Sequence, residues 1–525
     1  MAIESFDTIV IGAGANGLVS AAVLGKAGRK VLLLERAEEV GGQARVEEFA
    51  PGFRVGSLSS DAGWVPPSVI KGLDVKLDLV TPELPLSVVS PTGSLSLAKD
   101  LVRLSETLRP HSRTDADRWP AFATRIRRVA SFLEALYQLP AIDIATTSTR
   151  ELMALLGLGR RFRSLGREDM TEVLRILPMS IQELLDDWFE TPLLKAALGV
   201  GGVRDLRQGP RSGGTAFVFL HHLTGAQLGT MRGRGYWRTG PDALIRALQD
   251  RARGYGVSIR SGASVAQILV EDDTVTGVVM GTGEEVRARV VVSTADPTAT
   301  LRGMVDPVWF DPEFLRSVAN IKYRGCTAFV LYAMDRLPES LGAHASLDGA
   351  FSLTTDLVSL EQASDAAKYG TVSDNPHVEY TIDSARWSSM APAGKHVITV
   401  RVQYAPYALR DGSEWDSSTA DRLGRGITAA LDQVHPGFEE RVLHREVVNP
   451  RDLERRYGLT EGALSQGELT LDQILFMRPI PGWGRHRMPI AGLYLGGSGT
   501  HPGPGIPGGA GWLAARAVLG DSSNR

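Results

Sequence analysis

Glycines near the start of the chain have the spacing of a loop that binds the phosphates of a dinucleotide. Gly12, Gly14 and Gly17 directly follow the apolar run Ile9–Ile11. Gly12 allows a tight turn, Gly14 lets the backbone approach a pyrophosphate, and Gly17 lets the following helix pack closely on the sheet. The first turn of that helix directs free N–H groups and a partial positive charge at the phosphates. The spacing therefore predicts a dinucleotide site.

An acidic residue stands where the second strand of such a site ends. Glu35 follows the loop by about 20 residues and is placed to accept hydrogen bonds from ribose hydroxyls. Because its carboxylate disfavours a 2′-phosphate, NADP is not expected at this loop. Glycines at Gly41 and Gly42 let the backbone pass close to the dinucleotide, and Gln43 or Arg45 could donate a hydrogen bond to a phosphate. An ordinary turn is the alternative for these four residues.

A second glycine-rich segment, Gly496–Gly511, lies near the other end of the chain and is predicted to complete the same site. Its glycines leave the backbone bare where a flat ring or a ribityl chain must approach. A helix beginning near Pro507 can direct its N-terminus at the N1–C2=O edge of a flavin, stabilising the negative charge of the reduced ring. The two segments together predict FAD and redox chemistry, with a purely structural glycine loop as the alternative. The predicted FAD-binding residues are Gly12, Gly14, Ala15, Asn16, Gly17, Glu35, Arg36, Gly42, Gln43, Gly499, Gly505, Ile506, Pro507 and Gly508.

Three polar residues are candidates for the catalytic step. His221 or His222 could act as an acid or base near neutral pH, and on a strand the two would point to opposite faces, so at most one is expected to act. A satisfied core or interdomain histidine is the alternative. Arg478 could pair with an anionic substrate or hold the flavin pyrimidine edge, with a structural ion pair as the alternative. Tyr236 and Trp237 are either pocket-lining or packing aromatics.

The hydrophobic pattern predicts the elements that position these residues. A strand (Phe6–Ile11), a helix (Leu18–Ala27) and a second strand (Lys30–Leu34) form a βαβ unit. Short strands within Val257–Ser293 are typical of the meander inserted in flavin-binding domains. The end of the chain returns to strand, glycine loop and helix (Gly508–Leu519).

Two inserts of different character predict a substrate domain. The first is mostly amphipathic helix with breaks at Pro178 and Pro192, and the second contains the strand-like runs Cys326–Tyr332, Val378–Ile382 and His396–Tyr404. The predicted fold class is α/β (α+β overall), with a Rossmann-like FAD-binding domain interleaved with a substrate domain of antiparallel sheet plus helices. The FAD-binding domain is assigned to residues 1–75, 205–300 and 470–525, and the substrate or cap domain to 76–204 and 301–469.

Composition excludes several function classes. A chain of 525 residues is too long to fold around one compact core, which predicts two domains. Its 43% hydrophobic and 22% charged residues are typical of a globular protein. The net charge of −3 gives no reason to expect a nucleic-acid partner. Cys326 is the only cysteine, which excludes an intrachain disulfide or a dithiol relay, and it fits a small buried hydrophobe better than a reactive thiol. No metal-ligand spacing occurs, so no metal site is expected.

The sequence predicts a cytoplasmic protein. The N-terminus shows no signal-peptide pattern, and no window offers about 18 consecutive apolar residues. Peripheral contact with a membrane is left open. The basic run Arg160–Arg167 fits a solvated helix or loop face, with a phosphate or membrane-headgroup contact as the alternative.

These motifs together resemble the phytoene-desaturase-related FAD-dependent oxidoreductases of the amine-oxidase-like flavoprotein superfamily. The run Gly499–Gly508 is similar to that of bacterial carotenoid desaturases. Gly41–Ala44 with Pro51–Phe53, and Asp472–Gln473 with Met477–Pro479, look more like the branch of carotenoid ketolases and of proteins named for a pyridine-nucleotide-disulphide oxidoreductase domain. The similarity spans nearly the full length of the chain.

The resemblance implies a bipartite fold with FAD along the Rossmann-like domain and the backbone of Val265 against the adenine. Carotenoid desaturases usually carry arginine after the paired glycines, where this chain has Gln43. That change alters a phosphate or flavin contact and weakens the inference to desaturase activity. Gly56–Ser59 also differs from the flavin-facing residues of the desaturases.

The leading functional hypothesis is an FAD-dependent dehydrogenase, desaturase or oxidase that removes a hydride equivalent from a largely apolar small molecule, such as a polyene or isoprenoid. The helical insert motivates the apolar substrate, since such inserts can build a hydrophobic funnel or a lipid-facing cap. An FAD-dependent amine oxidase and a non-catalytic flavin-fold binding protein are the alternatives. The electron acceptor is left open, with oxygen and quinones as the classes considered, and so is any use of NAD(P)H.

Overall fold

The fold is known here from a computed structural model that describes residues 4–56, 58, 61–91, 93–141, 149–228, 230 and 235–522. Ser57 and Ser59, which belong to the segment expected to differ from the desaturases, lie outside the described residues. Two seven-stranded sheets and a layer of helices make up most of the fold.

The strands are distributed over the two large sheets and two short ribbons. In chain order they are β1 (Glu4–Ile11), β2 (Val31–Leu34), β3 (Val46–Ala50), β4 (Phe53–Gly56), β5 (Leu79–Val80), β6 (Leu86–Ser90), β7 (Gly93–Leu97), β8 (Tyr236–Trp237), β9 (Ser258–Arg260), β10 (Val265–Glu271), β11 (Thr274–Met280), β12 (Glu285–Ser293), β13 (Thr327–Met334), β14 (Ala350–Ser352), β15 (His377–Ile382), β16 (His396–Gln403), β17 (Val442–Val448) and β18 (Leu493–Leu495).

The helices cover the sheets and form the insert between β7 and β8. In chain order they are α1 (Ala15–Lys26), α2 (Pro67–Leu73), α3 (Leu101–Leu108), α4 (Arg113–Tyr137), α5 (Thr149–Ser164), α6 (Gly166–Ile176), α7 (Ile181–Asp186), α8 (Pro192–Val203), α9 (Thr215–His222), α10 (Ala243–Gly254), α11 (Pro312–Ala319), α12 (Glu339–Gly342), α13 (Leu357–Lys368), α14 (Asp383–Arg386), α15 (Ser417–Val434), α16 (Pro450–Tyr457) and α17 (Gly509–Ser522).

The first sheet has a parallel centre. β1 lies between β2 and β12, β9 extends the sheet beyond β2, and β18 pairs with the end of β12, all in parallel. β10 and β11 add an antiparallel edge, as predicted for the meander. β9 was expected in that meander and instead joins the parallel part, because α10 forms the crossover that returns the chain beside β2. Helices α1, α10 and α17 cover one face of the sheet.

The second sheet follows the order β17-β13-β16-β15-β14-β6-β7. Its neighbours are antiparallel except for β14 and β6, which are parallel. β13 and β15 are buried along their whole length, because α15 packs on one face and the β3–β4 ribbon packs on part of the other. The predicted fold class, an α/β protein with a Rossmann-like sheet and a second sheet with helices, is confirmed.

The helical insert has its own core. Along α4, Trp119, Phe122, Ile126 and Leu133 lie on one buried face at helical spacing, against residues of α8 and α9. The two sheets draw on the segments predicted for the two domains, and the domain boundaries themselves stay predictions. Among the helices of the described residues, none is long and apolar enough to span a bilayer.

The structure corrects the placement of the histidine pair. His221 and His222 end helix α9, whereas the sequence Phe217–His222 suggested a strand. Gly214 adopts φ +86° and starts the helix, and burial on nearly every side makes its run uniformly apolar, so it lacks helical periodicity.

Candidate active site

A cavity of about 520 Å³ runs along the carboxyl ends of β1 and β2. Both glycine-rich segments contribute to its wall, and Asn16 joins them. Its Nδ2 lies 3.4 Å from Ser498 Oγ, and its Oδ1 accepts a hydrogen bond of 3.2 Å from the Gly511 N–H. The predicted FAD-binding residues that line this cavity are Gly12, Gly14, Ala15, Asn16, Glu35, Arg36, Gly42, Gln43, Val265, Gly505, Ile506 and Pro507.

The other three predicted residues lie behind the cavity wall. A Cβ on Gly17 would lie 1.8 Å from the Gly12 carbonyl oxygen, and one on Gly499 would lie 2.4 Å from Pro297. Gly508 has φ +80°, and its Cβ would lie 2.7 Å from Val19. Each of these glycines packs against neighbouring atoms that leave no room for a Cβ, and their contact with FAD stays a prediction.

Helix α1 begins at the cavity without a side-chain cap. Its N-cap residue is Gly14, and its first turn carries no acidic residue. The N–H groups of a first helical turn have no intrahelical acceptor, so they are available to an anion. A Cβ on Gly14 would meet only the Cα of Gly42, at 3.9 Å, which leaves bare backbone where a pyrophosphate can approach. The local geometry fits the phosphates of FAD.

Glu35 is fixed at one end of the cavity. Its side chain is buried, with Oε2 accepting a 2.8 Å hydrogen bond from the Ala13 N–H and Oε1 a 2.9 Å bond from the Ala37 N–H. Since a carboxylate offers about four acceptor positions, two remain for the ribose hydroxyls of an adenosine. Arg36 lies beside it, and burial lowers the pKa of its guanidinium. This end fits the adenosine of FAD.

Replacing Glu35 with glutamine is expected to weaken FAD binding by about tenfold or more. Hydrogen bonds to a charged acceptor contribute about 1.5–3 kcal/mol each, and an amide offers only one acceptor oxygen. Titration of the apoprotein with FAD, followed by flavin fluorescence, measures the change. Glu39→Gln is the control, because Glu39 is exposed and does not line the cavity. Equal affinity of the two variants would contradict the role of Glu35.

The C-terminal glycine loop closes the other end of the cavity. The Trp64 N–H donates a 3.0 Å hydrogen bond to the Gly505 carbonyl, and a Cβ on Gly63 would lie 2.6 Å from the Pro507 ring. Helix α17 begins at Gly509, just after Pro507, so its N-terminus lies beside the loop, and its direction at the flavin ring stays a prediction. Gln43 lines the cavity, but its amide already has a protein partner, because Nε2 donates a 3.1 Å hydrogen bond to the Leu464 carbonyl.

The histidine pair does not line the cavity. The Nε2 of His221 lies 2.8 Å from the Pro504 carbonyl and its Nδ1 lies 2.8 Å from the Tyr137 hydroxyl. A carbonyl only accepts, so Nε2 carries a proton, and in the neutral ring Nδ1 accepts from Tyr137. His221 therefore positions the loop that holds Gly505. His222 follows it at the end of α9, with ring centroids 5.4 Å apart. The proposal that either acts as an acid or base stays a prediction.

Arg478 is buried behind the same loop and forms no ion pair with the described residues. The residue is 1% exposed, and its guanidinium donates to main-chain carbonyls on two sides. On one side Nε and Nη2 lie 3.0 and 2.9 Å from the Ser498 carbonyl, and on the other Nη2 lies 2.5 Å from that of Ser465. Burial lowers its pKa to about 10. Arg478 thus ties the cofactor loop to the preceding segment.

The sequence did not identify several residues of the cavity wall. Thr294 follows β12, and the rule that ligands bind at the carboxyl ends of parallel strands could have found it. Asp61, Trp387 and Tyr457 carry no local signal, because their loops reach the cavity only through the tertiary fold. Tyr236 and Trp237, considered as lining aromatics, do line it.

Comparison with known proteins agrees with this site. The family model described as flavin containing amine oxidoreductase matches residues 16–519. Rat pyridine nucleotide-disulfide oxidoreductase domain-containing protein 2 is 33% identical, over 99% of this chain and 94% of its own length. A limonene dehydrogenase component from Castellaniella defragrans is 24% identical, over 99% of this chain and 95% of its own length.

Among solved structures, putrescine oxidase bound to putrescine superposes with a TM-score of 0.59 at 14% identity, covering 99% of both chains. At that identity the likeness establishes the fold. The resemblance expected from the sequence and the FAD cofactor are confirmed. The chain belongs to the flavin-containing amine oxidoreductase family and is an FAD-dependent oxidoreductase.

Proposed function

We propose that the enzyme removes a hydride equivalent from a carbon of a largely apolar small molecule of the polyene or isoprenoid class. The observation that carries this proposal is an aromatic wall beside the flavin end of the cavity, formed by Tyr236, Trp237 and Trp387. The Gly235 carbonyl accepts a 2.9 Å bond from the Ala62 N–H, which holds this wall next to the loop containing Pro507. Aromatic rings give an apolar substrate a large contact area.

Neither acidic group of the described cavity wall is placed for an ammonium substrate, because the free acceptor positions of Glu35 are at the adenosine end and Asp61 has an arginine partner. Both oxygens of Glu35 accept backbone hydrogen bonds, and Asp61 pairs with Arg204 at 3.5 Å. The ring of Tyr236 already faces the guanidinium of Arg386, 5.2 Å from its centroid. An ammonium substrate is recognised by a carboxylate or by open aromatic faces, so this wall favours an uncharged substrate over an amine.

Bound FAD supplies a two-electron acceptor for this reaction. The substrate C–H bond breaks with its electron pair leaving as hydride, a proton from the neighbouring carbon passes to water, and a carbon–carbon double bond forms. A second substrate, oxygen or a quinone, would take up the two electrons and complete the turnover. The described lining residues include no histidine or lysine, so water takes the proton and the chain's part is to orient the substrate. Two relatives named for limonene and phytoene support the hydrocarbon class.

Anaerobic mixing with candidate donors tests the proposal. We expect polyenes or isoprenoids to bleach the oxidised flavin band, and amines, hydroxy compounds and NAD(P)H to leave it unchanged. Bleaching by amines alone would overturn the proposal in favour of an amine oxidase.

A matched pair of variants tests the aromatic wall. Tyr236→Ala should lower kcat/KM for the apolar donor by about tenfold or more, since an apolar contact of that size is worth about 1.5–3 kcal/mol. Tyr236→Phe keeps the ring and loses only the hydroxyl, which donates a 3.2 Å bond to Asp348, so its kcat/KM should stay near the wild-type value. A large loss in Tyr236→Phe would show that the hydroxyl, and hence a polar substrate group, matters.

A further inference from the structure

Helix α5 has one packed face and one exposed face. Leu158 and Phe162 pack on the core of the helical insert. Leu152, Met153 and Leu156, on the other side, are 45%, 65% and 58% exposed. Their spacing of one and four residues puts the three side chains on a common face. Elsewhere exposed large apolar residues of the described chain are mostly single, which needs no explanation, whereas a cluster marks a contact surface.

Arginines continue the same exposed face toward the end of the helix. Arg160 and Arg163 follow Leu156 at helical spacing and are exposed, as are Arg161 and Arg167 on adjoining surface. Among the ion pairs formed by described side chains, none includes Arg160, Arg161 or Arg163. From Leu152 to Arg167 the sequence holds four arginines and no acid, in a chain whose net charge is −3.

We infer that this face of α5 docks on an anionic lipid surface. Leu152, Met153 and Leu156 enter the boundary between headgroups and acyl chains, and Arg160 and Arg163 bind lipid phosphates. A helix with apolar side chains and basic side chains along one exposed face has the chemistry of an interfacial anchor. Since the whole molecule is weakly acidic, the local positive charge decides which side turns toward the lipid.

The docked face lies on the insert that borders the cofactor loop. Helix α4 ends at Tyr137, whose hydroxyl contacts His221. Two residues further on, the carbonyl of Leu139 lies 3.1 Å from His501 Nε2. Phe162 of α5 contacts Phe132 of α4, with ring centroids 5.5 Å apart, so α5 packs beside the part of α4 that ends at the cofactor loop. The inference stands apart from the proposed substrate, because lipid binding is measured without turnover.

Cosedimentation of the full-length holoprotein with vesicles tests this inference. We expect binding to vesicles of phosphatidylcholine mixed with phosphatidylglycerol, weaker binding to phosphatidylcholine alone, and a decrease with added salt. Leu152→Ser/Met153→Ser/Leu156→Ser and Arg160→Glu/Arg163→Glu should each lower the partition coefficient by about tenfold or more. Val308→Ser is the control, because Val308 is 76% exposed and distant in sequence.

The flavin spectrum of each variant shows that it is folded. The inference would be overturned if the wild type did not bind the anionic vesicles. It would also be overturned if the triple serine and double glutamate variants both bound them as strongly as the wild type. Size-exclusion chromatography in which the wild type is a dimer and the triple serine variant a monomer would overturn it as well, because a second copy would then cover the face.

Discussion

Arg478→Met is expected to lower the temperature of FAD release by at least about 5 °C and to weaken FAD binding by about tenfold or more. The methionine removes every hydrogen bond that the buried guanidinium donates. Besides Ser498 and Ser465, the carbonyls of Gly467 and Gln473 lie 3.0 and 3.2 Å from its nitrogens. Buried acceptors left without a donor cost about 1–3 kcal/mol each. Part of that cost is offset because the methionine variant no longer buries an unpaired positive charge, which is itself unfavourable.

The substitution affects FAD binding because Ser498 is part of both the cavity wall and the hydrogen-bond network of Arg478. This residue lines the cavity, while its carbonyl accepts two bonds from Arg478. Without the guanidinium, the loop loses its tie to the segment around Ser465. We therefore expect the flavin to dissociate before the helical insert unfolds, which flavin fluorescence and circular dichroism can follow in one heating scan.

Two companion variants define the cause. Arg478→Lys keeps a cation but replaces the planar guanidinium with a single ammonium group. Its temperature of FAD release should therefore lie between those of the methionine variant and the wild type. Arg487→Met removes an exposed arginine that pairs with Asp521, and surface pairs contribute about 0–1 kcal/mol. It should release FAD at the wild-type temperature. A methionine variant at Arg478 that behaves the same way would refute the role assigned to the guanidinium.

The half of the site that depends on local backbone could be predicted from the sequence. Gly12 adopts φ +92°, and Gly17 lies against the main-chain carbonyl of Gly12 with no room for a Cβ. Only glycine meets these two requirements. Glu35 follows because a strand of known direction ends there. These constraints act within one βαβ unit, so residue spacing alone specifies them.

The half that depends on distant contacts could not be predicted. Arg478 was considered for the flavin edge, and its main-chain acceptors lie five to twenty residues away, on both sides of it in the chain, where no sequence pattern connects them to it. His221 was expected on a strand because an all-round buried helix and a buried strand are both uniformly apolar. Trp387 reaches the cavity from the second sheet, whose packing on the first is a property of the whole fold.

Gly17→Ala and Gly14→Ala should separate folding from cofactor binding. The Cβ at Gly17 would lie 1.8 Å from the carbonyl oxygen and 2.9 Å from the carbonyl carbon of Gly12, main-chain atoms that cannot yield without moving α1 away from β1. We expect this variant to lose about 3 kcal/mol or more of stability and all measurable FAD binding. Thermal unfolding of the apoprotein measures the first effect and FAD titration the second.

Gly14→Ala should weaken FAD binding without destabilising the fold, because its Cβ meets only Gly42 Cα at 3.9 Å and its φ of −73° suits alanine. The apoprotein should unfold at the wild-type temperature, while FAD binds about tenfold or more weakly, since the new methyl group stands where the pyrophosphate approaches. Gly520→Ala, at the end of α17 with open space around it, controls for the general effect of alanine in a helix. Full FAD affinity in Gly14→Ala would place the pyrophosphate away from the first turn of α1, because a methyl group that obstructs nothing lies outside the path of the ligand.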